Sequence, residues 1–201
     1  MITTRRNYSF VLLALAIVLT LSASAFAQKG SNFPNIRIKN FGQMDDRFYR
    51  GAQPKEEDYK DLAALGIKTV IDLRDDPASY EKQDVEALGM RYVNIPMSDK
   101  NYPQSGLAEQ FLKLVDNPST GKFFVHCAGG RHRTGVMGAV YRFNHNHWNF
   151  DQVYTEMKDY DFYTRFGHGD MKKFVEDYAQ QSQANSVAVG QAATPSVTKQ
   201  R

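Results

Sequence analysis

The chain has 201 residues, of which 42% are hydrophobic, and this suits one globular domain with a buried core of its own. Its formal net charge is only +3, so the composition does not predict a nucleic-acid-binding protein. Cys127 is the only cysteine, which excludes an internal disulfide and leaves one free thiol to be explained.

The first 27 residues have the organisation of a secretory signal peptide. Arg5 and Arg6 precede an apolar run, and Ala25 and Ala27 then form an A-x-A cleavage site. The apolar run, about twelve residues, is shorter than the roughly 20 that span a bilayer, so cleavage before Gln28 is favoured over an uncleaved membrane anchor. We therefore expect an exported protein, periplasmic or secreted, with no stable membrane insertion. The arginine pair leaves twin-arginine export open beside the general route.

Beyond the signal peptide, hydrophobic periodicity predicts alternating strands and helices. Strict alternation predicts an edge strand over 36–41, with Phe48 to Arg50 as its hairpin partner. Further strands are predicted over 67–73, 91–95 and 122–126. Helices are predicted over 55–65, 79–88, 107–115, 150–160 and 170–180, with another directly after the loop that begins at residue 128.

This order predicts an α/β fold. We expect a central, mostly parallel, twisted sheet of about four to five strands, flanked by helices on both faces. The segment 181–201 contains no aromatic residue and is predicted to be a disordered tail. The folded domain is therefore expected to span residues 28–180.

A predicted strand runs directly into the loop that carries the chemistry. Cys127 and Arg133 are separated by five residues, and a helix is expected to begin at Arg133. The backbone N–H groups of such a loop can converge on one phosphate, which also faces the positive end of the helix. The planar fork of Arg133 can bind two phosphate oxygens, and Gly129 and Gly130 allow the backbone angles of the cradle. The predicted phosphate-binding residues are Ala128, Gly129, Gly130, Arg131, His132 and Arg133.

The same N–H groups favour the thiolate form of Cys127, which can then attack phosphorus as a nucleophile. Thr134 can donate its hydroxyl to the sulfur and help the thiolate to leave later. His126 is expected to point away from Cys127 across the strand and to orient the loop instead of acting as a base. A satisfied core histidine is an equally open interpretation of His126.

The segment His126-Cys127-x5-Arg133-Thr134-Gly135 resembles the signature of the cysteine-dependent protein tyrosine phosphatases, and among them the compact dual-specificity group. The segments 49–54, 66–74 and 147–157 are also similar to that family, so the resemblance extends over about 33–178. It implies a phosphomonoester hydrolase with a phosphocysteine intermediate on Cys127, and we expect no metal and no cofactor.

The resemblance also implies a general acid, an aspartate on a loop about thirty residues before the cysteine. Asp99 stands 28 residues before Cys127 on a predicted polar loop and is the expected acid. Asp75 or Asp76 is the alternative, because both follow a predicted parallel strand whose carboxyl end lies near the site.

Two substrate classes and two other kinds of protein stay open at this point. Arg131 and His132 add positive charge, which in the resembling family accompanies inositol phosphates, whereas Ala128 stands where such members carry a basic residue. A phosphorylated protein or an inositol phosphate is therefore the expected partner. A rhodanese-type sulfurtransferase would not need Arg133, and an inactive phosphate-binding module would not need Cys127.

Other residues receive structural interpretations. His145 and His147 are two apart at a helix end, so they face different directions and make a poor metal pair. Arg50 and Arg74 are expected to be partners in structural ion pairs. Aromatic residues near the C-terminal helices are expected to pack against the sheet more than to line the substrate rim: Tyr160, Phe162, Tyr163 and Phe166.

Overall fold

The computed structural model describes residues 28–29 and 33–192, and side chains over 33–184. The predicted signal peptide, residues 1–27, lies outside the described residues, as does the end of the predicted tail, 193–201. Within the described part of the chain, no helix combines the length and the apolar character needed to cross a bilayer.

One mixed sheet forms the centre of the domain. Four strands run parallel in the order β3-β6-β4-β5, and two short strands extend the β3 edge in antiparallel pairing. The predicted mostly parallel α/β sheet is therefore confirmed, and the two-residue strands bring the count to six. The strands are β1 Gln28–Lys29, β2 Gly42–Gln43, β3 Phe48–Ala52, β4 Thr69–Arg74, β5 Arg91–Met97 and β6 Phe123–Cys127.

Helices cover both faces of this sheet, as predicted. One hydrophobic cluster lies between the sheet and α3 to α6, and a second lies between the opposite face and α1 and α2. A 3-10 turn, Pro118–Thr120, precedes β6, and a π-helical turn, Arg142–Asn146, continues α4. The α-helices are α1 Asp58–Ala64, α2 Glu81–Ala87, α3 Leu107–Val115, α4 His132–Tyr141, α5 Phe150–Asp159 and α6 Gly169–Ala192.

Two predicted elements differ from the structure. Residues 36–41 form an irregular segment with a turn at 39–40 instead of an edge strand, because Asn40 takes a positive φ of 51° that interrupts an extended chain. The alternation there reflects the burial of Ile38 and Phe41 in an irregular segment. At the other end, α6 continues to Ala192, so the prediction of a disordered tail over 181–201 is wrong for residues 181–192.

The strand register brings the carboxyl ends of the central strands to one edge. Ala52 of β3 lies opposite Cys127 of β6, and Asp72 of β4 lies opposite His126. Loops that follow parallel strands emerge at this edge, which is where α/β sheets bind their ligands. The loop after Cys127 therefore lies between the segments that follow β3 and β4.

Candidate active site

The loop after Cys127 is a tight turn between β6 and α4. Helix α4 begins at His132, one residue earlier than predicted. Gly130 has a φ of 66°, and a Cβ there would lie 2.5 Å from the carbonyl carbon of Gly51, so the close approach of loop and strand requires glycine. Gly129 does not take a positive φ, and the special backbone freedom predicted for it is not used.

The loop is held from outside through its carbonyl oxygens. Three successive carbonyls accept hydrogen bonds from the segment around β3 and therefore point away from the turn. Because the carbonyls face outward, the N–H groups of the same peptides are turned toward the inside, where a phosphate would lie. The bonds are Gln53 N to Ala128 O at 3.4 Å, Asn40 Nδ2 to Gly129 O at 3.0 Å and Arg50 Nη2 to Gly130 O at 2.9 Å.

Arg50 is a fully buried cation beneath this loop. Besides donating to Gly130, its guanidinium lies 3.9 Å from the ring centroid of Tyr160, and its burial lowers the pKa of the side chain. The predicted ion-pair role is wrong for Arg50, which binds a carbonyl and an aromatic ring. It is confirmed for Arg74, which pairs with Asp76 at 3.1 Å.

The loop forms the floor of a pocket of about 330 Å³. Cys127 lines this pocket and is 4% exposed. Asp99 lines the same pocket, as the sequence predicts, together with two residues beyond the predicted site, Tyr163 and His168. The lining residues are Asp99, Cys127, Ala128, Gly129, Arg131, His132, Arg133, Tyr163 and His168.

Arg133 is oriented by two acceptors. Its Nη1 donates to Asp75 Oδ1 at 2.6 Å and to the carbonyl oxygen of Met97 at 3.1 Å. The side chain is buried and lines the pocket. With Nη1 engaged, the Nε–Nη2 edge is the part of the fork that can meet phosphate oxygens.

The Thr134 hydroxyl differs from its prediction. It is fully buried and has no hydrogen-bond partner among the described residues, so the predicted bond to the Cys127 sulfur is not formed.

His126 lies on the opposite side of β6 from Cys127, as the alternation of the strand predicts. Its ring stacks on Phe124 at 5.6 Å, and its Nε2 lies 2.7 Å from Glu81 Oε1. Its Nδ1 lies 3.9 Å from Asp72 Oδ1. His126 is thus a buried core histidine in close contact with Glu81, but neither of its ring nitrogens has an aligned hydrogen-bond partner among the described residues. Its role in orienting the loop stays a prediction.

Glu81 is the centre of this buried network. Burial alone would raise the pKa of its carboxyl, but the interactions with His126, Gln53 and Tyr59 outweigh burial and leave the pKa below its ordinary value. Gln53 Nε2 donates to Glu81 at 2.9 Å, and the Gln53 backbone donates to the phosphate loop. The network thus connects α2 to the loop through one side chain.

Among the described residues, Asp72, Glu81 and His126 are also close enough for their ligand atoms to surround a cation. All three are fully buried, and both carboxylates accept hydrogen bonds from neighbouring side chains, Glu81 from Gln53 at 2.9 Å and Asp72 from Tyr92 at 3.0 Å. Burial raises the pKa of Asp72 as well. We therefore interpret the cluster as a hydrogen-bonded network and not as a metal site.

Two histidines form a stacked pair in the pocket wall. The rings of His132 and His168 are 3.6 Å apart and nearly parallel, and both side chains are buried. Burial, followed by the proximity of His168, lowers the pKa of His132 to about 4. His132 is therefore a neutral ring at physiological pH, and the positive charge predicted for it is absent there.

Several residues of the site were missed by the sequence analysis. Asn40, Gln53, Glu81 and His168 all act across long sequence separations, and their residue types are common on protein surfaces. For Asn40, the available signal is the ability of asparagine to adopt a positive φ. Tyr163 lines the pocket and Phe166 is 78% exposed, so packing does not account for these two aromatic residues, whereas Tyr160 and Phe162 are buried as expected.

A parallel α/β sheet that ends in a Cys-x5-Arg loop, with its carbonyls held outward, defines a phosphatase of the cysteine-dependent class. A family model described as "DSP-PTPase phosphatase fused to NAD+ Kinase" matches residues 32–177. The "Probable tyrosine-protein phosphatase DG1060" of Dictyostelium discoideum is 30% identical over 145 residues, which cover 69% of this chain and 82% of that protein.

Two further similarities support the assignment. The "Inositol diphosphatase SIW14" of Saccharomyces cerevisiae is 26% identical over 62% of this chain, and the match covers 46% of its own length. The crystal structure of its core catalytic domain aligns with a TM-score of 0.63 at 23% identity, covering 80% of this chain and 97% of that one. The structure of P. aeruginosa TpbA aligns with a TM-score of 0.60 at 22% identity, covering 85% and 98%.

The chain belongs to this family of dual-specificity and protein tyrosine phosphatases. It is accordingly a cysteine-dependent phosphatase, and the sulfurtransferase alternative is set aside. The two structural alignments show that the whole domain, and not the loop alone, has the fold of these enzymes.

Proposed function

We propose that this phosphatase hydrolyses phosphate monoesters through a phosphocysteine on Cys127, with Arg133 as the phosphate ligand and Asp99 as the general acid. The observation that carries the proposal is the outward direction of three successive loop carbonyls, which turns the N–H groups toward the space above Cys127. Such an arrangement stabilises both a thiolate and a transferring phosphoryl group.

In the first step, the Cys127 thiolate forms a bond to phosphorus while the bond from phosphorus to the ester oxygen breaks. Asp99 gives its proton to that leaving oxygen. In the second step, a water oxygen attacks the phosphocysteine, Asp99 takes a proton from that water, and the sulfur–phosphorus bond breaks. Inorganic phosphate is then released and the thiolate is regenerated, while Arg133 holds the phosphoryl oxygens in both steps.

The position of each aspartate supports Asp99 as the acid. Asp99 lines the pocket with Cys127. Asp75 is instead bound to Arg133, and Asp76 is bound to Arg74, whose hydrogen bond lowers the pKa of Asp76. An acid must carry a proton when the substrate binds, so a carboxylate held by a guanidinium is poorly suited to the role.

The primary experiment measures hydrolysis of para-nitrophenyl phosphate by the chain from Gln28 onward, with vanadate as inhibitor. Vanadate-sensitive turnover that disappears in Cys127→Ser supports the covalent mechanism. Trapping of a phosphorylated Cys127 by rapid acid quench would identify the intermediate directly. A correctly folded, reduced protein without turnover on any phosphate monoester would instead support the inactive phosphate-binding module.

The proposed natural substrate is a phosphorylated protein of the phosphotyrosine type. Cys127 is nearly buried in this pocket, which suits a phosphate presented on a long aromatic side chain, and Tyr163, another lining residue, can pack against that ring. The relative from Dictyostelium is named as a tyrosine-protein phosphatase, which supports this choice.

Inositol polyphosphate is the second candidate, favoured by Arg131 at the pocket wall and by the name of the yeast relative. Rates on a phosphotyrosine peptide and on an inositol polyphosphate separate the two classes. If the polyphosphate is the substrate, kcat/KM falls steeply with added salt and Arg131→Gln lowers it, because a polyanion is attracted through screened charge. A peptide substrate is expected to show neither effect.

We further propose that the protein is exported to the periplasm or secreted after cleavage before Gln28. The support is the order of charged, apolar and small residues over 1–27. Cell fractionation followed by N-terminal sequencing of the mature protein tests it. Recovery of the intact N-terminus from the cytosol would reject export.

A further inference from the structure

The loop that carries Asp99 is fixed at its backbone while the carboxyl group itself is exposed. Ser98 Oγ accepts hydrogen bonds from the N–H groups of Lys100 and Asn101, at 3.3 and 3.1 Å, and closes the turn around Asp99. On the α6 side, Tyr102 donates to Asp177 at 3.0 Å. These three bonds order the turn, but none of them connects it to the phosphate loop.

His168 makes that connection. Its Nδ1 lies 2.7 Å from the carbonyl oxygen of Asp99, and because a carbonyl only accepts, Nδ1 is the nitrogen that carries hydrogen. The same ring also stacks on the ring of His132, the first residue of α4, with 3.6 Å between the ring centroids. One buried imidazole therefore touches the loop of the proposed acid and the end of the phosphate loop.

Two other contacts support the same arrangement. The edge of the His168 ring packs on Tyr163 at 5.4 Å, and Tyr163 in turn packs on His132 at 4.4 Å. A Cβ added to Gly167, whose φ is 91°, would lie 3.7 Å from the aliphatic part of Lys100, so this segment runs beside the Asp99 loop. The segment 163–168 thus packs between the two loops. Of the described residues in this segment, only His168 has a hydrogen bond to the Asp99 backbone.

We propose that His168 is a positioning residue that fixes the Asp99 loop relative to the phosphate loop and so places the carboxyl at the leaving oxygen. This inference rests on the proposed role of Asp99. Proton transfer requires hydrogen-bond reach, and a misplacement of about 1 Å can cost about 10²-fold in rate. His168 touches neither the phosphate nor the leaving group in this scheme, and it acts through the Asp99 main chain.

Two substitutions separate the two contacts of His168, the hydrogen bond to Asp99 and the stack on His132. His168→Phe keeps a ring that can stack on His132 but removes the donor to Asp99. His168→Asn places a donor near the position of Nδ1 but removes the ring. If the bond and the stack are both needed, each variant slows hydrolysis of phenyl phosphate, whose leaving oxygen needs a proton, by about 10- to 100-fold.

Hydrolysis of a dinitrophenyl phosphate separates a positioning role from a purely structural one. A structural defect would slow this ester as well, whereas a misplaced acid would not. The dinitrophenyl leaving group departs without a proton, so the rate on this ester is expected to stay within about threefold of the parent. His145→Phe is the matched control, because His145 also stacks on an aromatic ring, Tyr141 at 4.0 Å, and contacts another element, Asp116 at 2.7 Å. It is expected to leave both esters unaffected.

The cycle of Asp99→Asn, His168→Phe and the double variant decides the assignment. If His168 acts through Asp99, the double variant is as slow on phenyl phosphate as Asp99→Asn alone. Equal losses on both esters, or effects that multiply in the double variant, would overturn the positioning role. A folded His168→Phe at the parent rate beside a slow Asp99→Asn overturns this inference alone. An Asp99→Asn that retains the parent rate on phenyl phosphate overturns the proposed acid and, with it, the inference.

Discussion

Arg133 Nη1 donates to Asp75 Oδ1 over 2.6 Å, so the phosphate-binding guanidinium is bound to a carboxylate from the loop after β4. The same nitrogen donates to the main chain of Met97. Both acceptors lie at one end of the guanidinium and leave its other edge for the pocket. The carboxylate thus serves to aim the arginine, although it carries the same sign of charge as the substrate.

Removal of this acceptor is expected to weaken phosphate binding. In Asp75→Ala, Arg133 loses its orienting partner, and because the pair is half-exposed the loss is about 1 kcal/mol, or roughly fivefold in KM and in the vanadate inhibition constant. Asp75→Asn retains an acceptor oxygen and should lose less. Steady-state kinetics on both variants measure this, and tighter vanadate binding would show that the carboxylate competes with phosphate instead.

The Asn40 side chain is expected to support catalysis without touching substrate. Asn40→Gly keeps the freedom for a positive φ but removes the donor to Gly129 O, which lies 3.0 Å away. We expect kcat/KM to fall about three- to tenfold, in line with one hydrogen bond of about 1 kcal/mol. Asn144→Ala, which loses a side-chain bond to Val140 O on the turn after α4, is the control and should keep the parent rate.

Glu81 is expected to be a major contributor to stability. Glu81→Ala removes the carboxylate that lies 2.7 Å from His126 and accepts from Gln53 at 2.9 Å, and breaking such a buried pair costs about 3 to 5 kcal/mol of unfolding free energy. Glu81→Gln retains an acceptor and should cost less. Urea unfolding monitored by the fluorescence of Trp148 measures both. An alanine variant within about 1 kcal/mol of the parent would show that the buried network contributes little.

His132 is expected to make the protein less stable at mildly acidic pH. Its pKa is 6.5 in an ordinary setting and about 4 in the folded protein. Between these values the unfolded chain binds a proton that the folded chain does not, so stability falls as pH is lowered from about 6.5 to 4, by up to about 3 kcal/mol.

His132→Phe isolates this contribution, because it keeps a ring in contact with Phe162, Tyr163 and His168 but cannot titrate. The difference in unfolding free energy between parent and variant is expected to shift in favour of the variant as the pH falls. Denaturant titrations from pH 7.5 to pH 4 measure it. A difference independent of pH would contradict the low pKa assigned to His132.

The contiguous features of the molecule were predictable from the sequence. Periodic runs gave the order of strands and helices, and α3 was placed at its observed bounds, Leu107–Val115. Cys127 and Arg133 belong to one short loop between a strand and a helix, and their local spacing already implies a phosphate cradle. Asp99 was predicted because the resemblance implies an acid about thirty residues before the cysteine, and the structure places Asp99 in the pocket of Cys127.

The supports of the site were not predictable because they act between distant parts of the chain. Asn40 reaches Gly129 across 89 positions, Arg50 reaches Gly130 across 80, and His168 reaches Asp99 across 69. No periodicity within one element reports such a contact. The false edge strand over 36–41 has the same origin, since the burial of Ile38 and Phe41 depends on neighbours that lie elsewhere in the chain.

The three donors that hold the loop carbonyls all come from the short stretch between Asn40 and Gln53. A related chain could keep Cys127 and Arg133 unchanged and still lose its cradle through substitutions in that stretch alone, because the unrestrained peptides would no longer be held with their N–H groups toward the phosphate. Such a chain would pass any search for the catalytic motif and yet turn over poorly. The catalytic activity of a protein with this fold therefore depends in part on residues that lie about eighty positions before the phosphate loop.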